Sequence, residues 1–250
     1  MKPVARISTR GYYNLLNGKT IKNNSYYLYP KQDFKKLIDS KELTIMIHGL
    51  RNDSAGAIAK VILAKNKLKK LGYSYPVIGY SYDSNTIGAH LLKYAKRSLM
   101  AGQIIAQKNG RNLGKFIEDF KTINPKIKIR LIGHSLGSQV ILSTVEYLAK
   151  KKQNKGIIES VYFFGASITD DVPSSKKYGK LLDVIINKKI INHYAPTDDV
   201  LKWADNEKYV KGPLGLCGAI DKPIRKYHQK LTKPQNHRFA SYAKTLNSFP

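Results

Sequence analysis

The chain has 250 residues, 42% of them apolar, enough to bury one sizeable core and too many for a disordered segment. Its 44 Lys and Arg against 17 Asp and Glu give a formal net charge of +27, a field that favours nucleic acid, anionic membrane or acidic substrates. Cys217 is the only cysteine, which excludes an internal disulfide and fits a reducing compartment.

Taken in chain order, the N-terminus MKPVARISTRGYY has no apolar stretch of the kind a secretory signal needs. Leu43 to His48 is a short apolar run that ends in His48-Gly49 and reads as a strand. Ala55 to Leu71 has helical spacing, with Ile58, Val61, Ile62 and Leu68 on one side and Gly72 as its stop. Tyr75 to Tyr82 reads as a second strand. Ile87 to Phe120 reads as mostly helical, broken near Gly110 and ended by Pro125. Lys126 to Gly133 is a third strand and Leu136 to Lys150 the helix after it. Ile157 to Phe164 is a fourth strand, Ser174 to Ile186 a helix, and Ile190 to Tyr194 a fifth strand. Ile224 to Leu231 reads as a sixth strand and Arg238 to Leu246 as a closing helix.

This alternation predicts an α/β fold: a mostly parallel sheet with helices on both faces, in one domain spanning 1–250. No apolar run is long enough to span a bilayer. The expected setting is therefore cytoplasmic, with peripheral contact at an anionic inner membrane surface as the alternative that the charge suggests. The basic residues are spread along the chain, with modest clusters at 67–70, 150–152 and 222–233. No nucleic-acid module accompanies them, so nucleic acid is the disfavoured partner.

In such sheets ligands bind beyond the carboxyl ends of the strands. The residues at those ends are His48-Gly49-Leu50, Ser81 to Asp83, Ser135, Thr169 to Asp171, and Thr197 to Asp199. Ser135 stands in LIGHSLGSQVIL, between an apolar strand and an amphipathic helix. Gly133-x-Ser135-x-Gly137 is the pattern of a nucleophile elbow: the serine sits on a strained turn, and crowding by neighbouring backbone demands glycine on both sides. The helix that follows aims its first amides at the same place.

A serine hydroxyl needs a base, and the base an orienting carboxylate. Of the six histidines, His134 lies inside the elbow and is expected to point away from the serine. His48 belongs to a loop scaffold, His90 to an early helix, and His193 and His228 to strands. His237, in the polar turn PQNHRF, is left as the base. Two places offer an acid: Asp198 and Asp199, or Asp170 and Asp171.

The order Ser135, Asp198, His237, with His48-Gly49 after an early strand, resembles the alpha/beta-hydrolase superfamily. IHGLRND, LIGHSLGS, APTDDVLKW, PLGLCG and NHRFASY together resemble a poorly characterised group within it, known as a domain of unknown function. The resemblance covers about Leu43 to Tyr242. It implies hydrolysis of a small-molecule or lipid ester through an acyl-enzyme, with no cofactor and no metal. It further implies Ser135 as nucleophile, His237 as base and Asp198 as the orienting acid. The backbone amides of Leu136 and Leu50 would be the oxyanion donors. Hydrolases of this fold often carry Asp-x-Val after the acid's strand, with the Val tucked into the core, and Asp198-Asp199-Val200 fits. Only about two dozen residues separate Phe164 from Ile190, too few for a separate lid domain. Leu214, Leu216 and Ile220 are candidates for an apolar pocket wall.

Overall fold

The computed structural model describes residues 4–250. Its strands are β1 (Arg6–Ser8), β2 (Tyr27–Tyr29), β3 (Glu42–Ile47), β4 (Val77–Ser81), β5 (Lys128–His134), β6 (Ile158–Phe164), β7 (Ile186–Tyr194) and β8 (Tyr227–Leu231). They form one sheet in the order β2-β1-β4-β3-β5-β6-β7-β8, parallel throughout except for β2 against β1. The central strands β3, β4 and β6 are buried at every position, as a sheet covered on both faces requires.

The helices are α1 (Lys31–Lys35), α2 (Ser54–Lys70), α3 (Ala95–Ile123), α4 (Gly137–Leu148), α5 (Gly179–Ile185), α6 (Asp199–Asn206), α7 (Leu214–Cys217) and α8 (Phe239–Thr245). Alternation along the strands divides the core in two. On one face Ile45, Ile47, Leu131 and Phe163 pack with Ile105, Leu113 and Phe116 of α3 and Val140 and Ile141 of α4. On the other, Met46, Ile132, Tyr162 and Phe164 pack with Val61, Ala64 and Leu68 of α2 and with Phe239 and Tyr242 of α8. Full burial of side chains of this size stabilises by about 1.5–3 kcal/mol each, so both helical layers are firmly seated.

Local chemistry sets the helix ends. Asp53 caps α2, its carboxylate accepting from the Gly56 amide at 2.7 Å, and Gly72, at φ +83°, lets the chain leave it. The sequence predicts a break near Gly110, but α3 runs through it unbroken. Glycine is there for packing: a Cβ on Gly110 would collide with the backbone of Ser143, so its absence brings α3 and α4 into close approach.

Other expectations are corrected too. Ser174 makes an isolated bridge with Pro223 and Ser175 to Tyr178 are turn rather than helix, and β7 begins four residues earlier than Ile190. His90 lies in a turn before α3 rather than in a helix. No described helix is long and apolar enough to cross a membrane.

Candidate active site

β5 delivers the chain to the elbow at the carboxyl edge of the sheet. Ser135 takes φ +52°, a left-handed conformation that side chains rarely adopt. A Cβ on Gly137 would stand 2.5 Å from the Ile47 carbonyl oxygen, so the turn requires glycine there; one on Gly133 would stand 2.7 Å from Ile141 Cδ1 and 3.2 Å from the Gly137 backbone, so glycine lets the turn pack tightly. Hydrogen bonds hold the strained serine. Its amide donates to Phe164 O at 3.0 Å, and its carbonyl accepts from Ser138 N at 3.0 Å and Ser138 Oγ at 2.6 Å.

His237 comes from the turn between β8 and α8. Its Nε2 lies 2.8 Å from Ser135 Oγ and its Nδ1 lies 2.7 Å from Asp198 Oδ2. An ionised Asp198 accepts the Nδ1 proton, which leaves Nε2 free to accept from the serine hydroxyl. Asp198 follows β7 and caps α6, where its Oδ1 accepts from Leu201 N at 3.2 Å. Its Oδ2 also accepts from Tyr242 OH at 2.6 Å. Burial alone would raise the Asp198 carboxyl. Hydrogen bonds from His237, Tyr242 and the Leu201 amide outweigh it and hold the group below the ordinary carboxylate range.

None of the rival acids touches His237, although Asp199 lines the same cavity. Asp171 accepts from Thr169 Oγ1 at 2.6 Å and pairs with Lys177 at 3.4 Å. The Asp170 amide donates to Gly212 O. The Asp199 side chain is exposed, with Lys202 3.9 Å away.

The loop after β3 lies against the serine: a Cβ on Gly49 would stand 3.3 Å from Ser135 Oγ. Asn52 Nδ2 donates to Gly49 O at 3.0 Å and to Leu50 O at 2.8 Å. His48 Nε2 accepts from Tyr82 N at 3.3 Å, which assigns the proton to Nδ1, 3.0 Å from Gly49 O. In a trans peptide the carbonyl and the next N–H point oppositely. Anchoring Gly49 O on Asn52 and His48 therefore turns the Leu50 amide away from them. Neither Leu50 N nor Leu136 N donates to a protein acceptor among the described residues. Arg10 ties the loop down, donating to Ser81 Oγ at 2.7 Å, Asn52 O at 3.0 Å and Asp53 O at 2.8 Å.

His134 does not reach the serine, yet its ring is not idle. Its Nε2 donates to the His237 carbonyl at 2.7 Å, and the two rings lie 5.1 Å apart. Burial, helped by the neighbouring His237, pushes its pKa down to about 3, so it stays neutral.

Serine and histidine open into a cavity of about 820 Å³. Its apolar lining comes from Leu50, Leu99, Leu136, Val200, Trp203 and Val210, and Arg51, Lys60 and Arg238 are cationic members. The predicted wall is corrected. Leu214 and Leu216 are buried elsewhere, Ile220 is exposed, and none lines the cavity. α7 turns them toward the sheet, and α6 with the start of α3 supplies the wall instead. Val200 is likewise not tucked into the core: it is half exposed at the cavity, and Leu201 is the buried one.

Sequence reasoning missed Asn52, Arg10 and Tyr242, although IHGLRND and NHRFASY contain two of them. Among the described residues no group of three His, Cys, Asp or Glu is placed to hold a metal ion.

A mostly parallel eight-stranded sheet, helices on both faces and a glycine-flanked serine elbow at its carboxyl edge define an alpha/beta-hydrolase fold. The chain belongs to the family described as "Protein of unknown function (DUF726)", which it matches over residues 50–210. It is 37% identical over 96 residues to an uncharacterized membrane protein of Caenorhabditis elegans. That match covers 38% of this chain and 15% of the worm protein, so the chain spans a small part of that relative. Among solved structures it is similar to a putative hydrolase from Agrobacterium vitis S4 (TM-score 0.43, 12% identity, 82% of this chain and 85% of that one). A second is a lipase-esterase related protein from Clostridium acetobutylicum ATCC 824 (TM-score 0.41, 12% identity, 80% and 88%).

Proposed function

We propose that the protein is a serine hydrolase that cleaves an ester-like acyl bond in a small-molecule or lipid substrate, with 1–250 acting as one hydrolase domain. The observation that carries this reading is the unbroken hydrogen-bond chain from Ser135 through His237 to Asp198. In it, Ser135 Oγ attacks the carbonyl carbon as His237 Nε2 takes its proton, and Asp198 stabilises the imidazolium. The carbonyl oxygen becomes an oxyanion, which Leu136 N and Leu50 N would hold, each donor contributing about 3 kcal/mol. The C–O bond then breaks, the alcohol leaves with the proton from His237, and water repeats the sequence to release the acid.

Labelling with a fluorophosphonate tests the reading. The wild-type protein should be modified on Ser135 and should hydrolyse short aryl esters. Ser135→Ala should fold normally, since only a hydroxyl is removed, and should lose both signals. A Ser135→Ala variant that kept more than a few per cent of wild-type turnover would remove Ser135 from the role.

Peripheral contact with an anionic membrane is a second reading, favoured by one feature. Ile87, Leu91, Tyr94 and Met100 are exposed, interleaved with residues that line the cavity and set among exposed Lys93, Lys96 and Arg97. Vesicle binding should rise with anionic lipid content and weaken with salt; equal binding to neutral vesicles would dismiss it.

A further inference from the structure

The cavity has a charged side that ester hydrolysis alone does not use. Lys60 lies on α2, Arg238 leads into α8, and both helices cover the same face of the sheet. Arg51, in the oxyanion loop at φ +59°, lines the same cavity. Among the described residues none of these three has a carboxylate within 4.0 Å, and none donates a side-chain hydrogen bond. The more buried arginines behave differently: Arg130 is held by both oxygens of Glu42, and Arg10 by three oxygen acceptors. Lys60 is partly buried, and burial with the nearby Arg238 charge lowers its pKa. Arg238 and Arg51 are exposed, so the charge that burial disfavours is that of Lys60, and an anion bound beside it would offset that cost. The α3 side of the cavity is apolar, with Leu99, and α6 adds Val200 and Trp203. The lining thus combines apolar side chains with three cations and one exposed carboxylate, Asp199 of α6, which has Lys202 3.9 Å away, and Ser135 lines the same cavity.

Resting on the ester-cleaving reading of this site, we infer that Lys60 and Arg238 bind an anionic group carried by the substrate. The substrate class is then an amphiphile: an ester of an apolar acyl chain whose other part bears a phosphate or a comparable anion. A guanidinium presents paired donors that suit a phosphate, and an ammonium adds a point charge.

The test separates binding from turnover. Ser135→Ala protein is titrated with hexanoylglycerol 3-phosphate and with hexanoylglycerol. The phosphate ester should bind about 10-fold tighter or more, as charge-assisted hydrogen bonds predict. Adding Lys60→Gln and Arg238→Gln should bring the two esters to equal affinity, and Lys60→Arg alone should keep the preference. Lys69→Gln with Lys70→Gln, exposed on the same helix, should leave the preference intact, because the general positive field is not its source. Equal binding of the two esters to Ser135→Ala would overturn the inference. So would a preference that survives loss of Lys60 and Arg238, or one that falls as much with Lys69 and Lys70. Absence of fluorophosphonate labelling in the wild-type protein would instead count against the hydrolase reading, and leaves the binding result standing.

Discussion

Asp198 belongs to two structures at once. One carboxylate oxygen caps α6 and the other accepts from both His237 and Tyr242. Asparagine caps a helix about as well as aspartate, so Asp198→Asn should still fold, although losing the charge-assisted bonds from His237 and Tyr242 costs about 1–3 kcal/mol. It should nonetheless lose up to ~10⁴ in turnover, the magnitude seen when an amide replaces a triad carboxylate and imposes the wrong tautomer. Asp170→Asn and Asp171→Asn should stay near wild type. The reverse pattern in ester-hydrolysis assays would move the acid one strand earlier. Ser135 and the candidate acids could be listed from the sequence because each stands just beyond a strand, where an α/β sheet gathers its chemistry; the preference for Asp198 over Asp199, Asp170 and Asp171 rests on the family resemblance. Asn52 and Arg10 could not. Their work is done on backbone carbonyls, and a carbonyl has no letter in the sequence.

At the scale of elements, the α3–α4 contact decides how the helical layer sits over the sheet. Gly110→Ala gains up to about 1 kcal/mol of helix propensity. It then forces a methyl group into the Ser143 backbone, an overpacking that commonly destabilises by about 1–3 kcal/mol. A net fall in thermal midpoint of a few degrees is the expected outcome. Gly114→Ala meets the Tyr147 ring, which can turn aside, so its midpoint should fall less or rise. Equal effects in calorimetry would mean that the layer yields more than the packing implies. The central strands and flanking helices were legible because long apolar runs and helical spacing announce them. β1 and β2, three residues each, are too short to show a period, and glycine inside a helix looks the same whether it breaks the helix or packs it.

For the molecule as a whole, three buried histidines set the acid limit. Burial, with Arg10 nearby, pushes His48 down to about 3; burial with His237 does the same to His134; burial with Lys230 brings His193 to about 4. In the unfolded chain each returns to about 6.5. Between those values the unfolded state binds the extra protons, so stability falls as pH drops, by up to about 1.4 kcal/mol per pH unit for each histidine. Asp198, held low, acts in the same direction, its contribution being lost as pH falls through its depressed pKa. Unfolding at pH 5 should take up about three protons, measurable by potentiometry. Uptake near zero would mean that these rings are charged in the fold. Under the proposed mechanism the base comes late in the chain. Ser135 and its elbow are complete once β3, β5, β6 and α4 have assembled, but His237 arrives 102 residues after the serine, in the turn before α8. During synthesis the ribosome therefore releases an elbow with no proton acceptor beside it. On the proposed reading, a chain without α8 stays inert until that helix docks, so reactivity of the serine reports that β8 and α8 are in place.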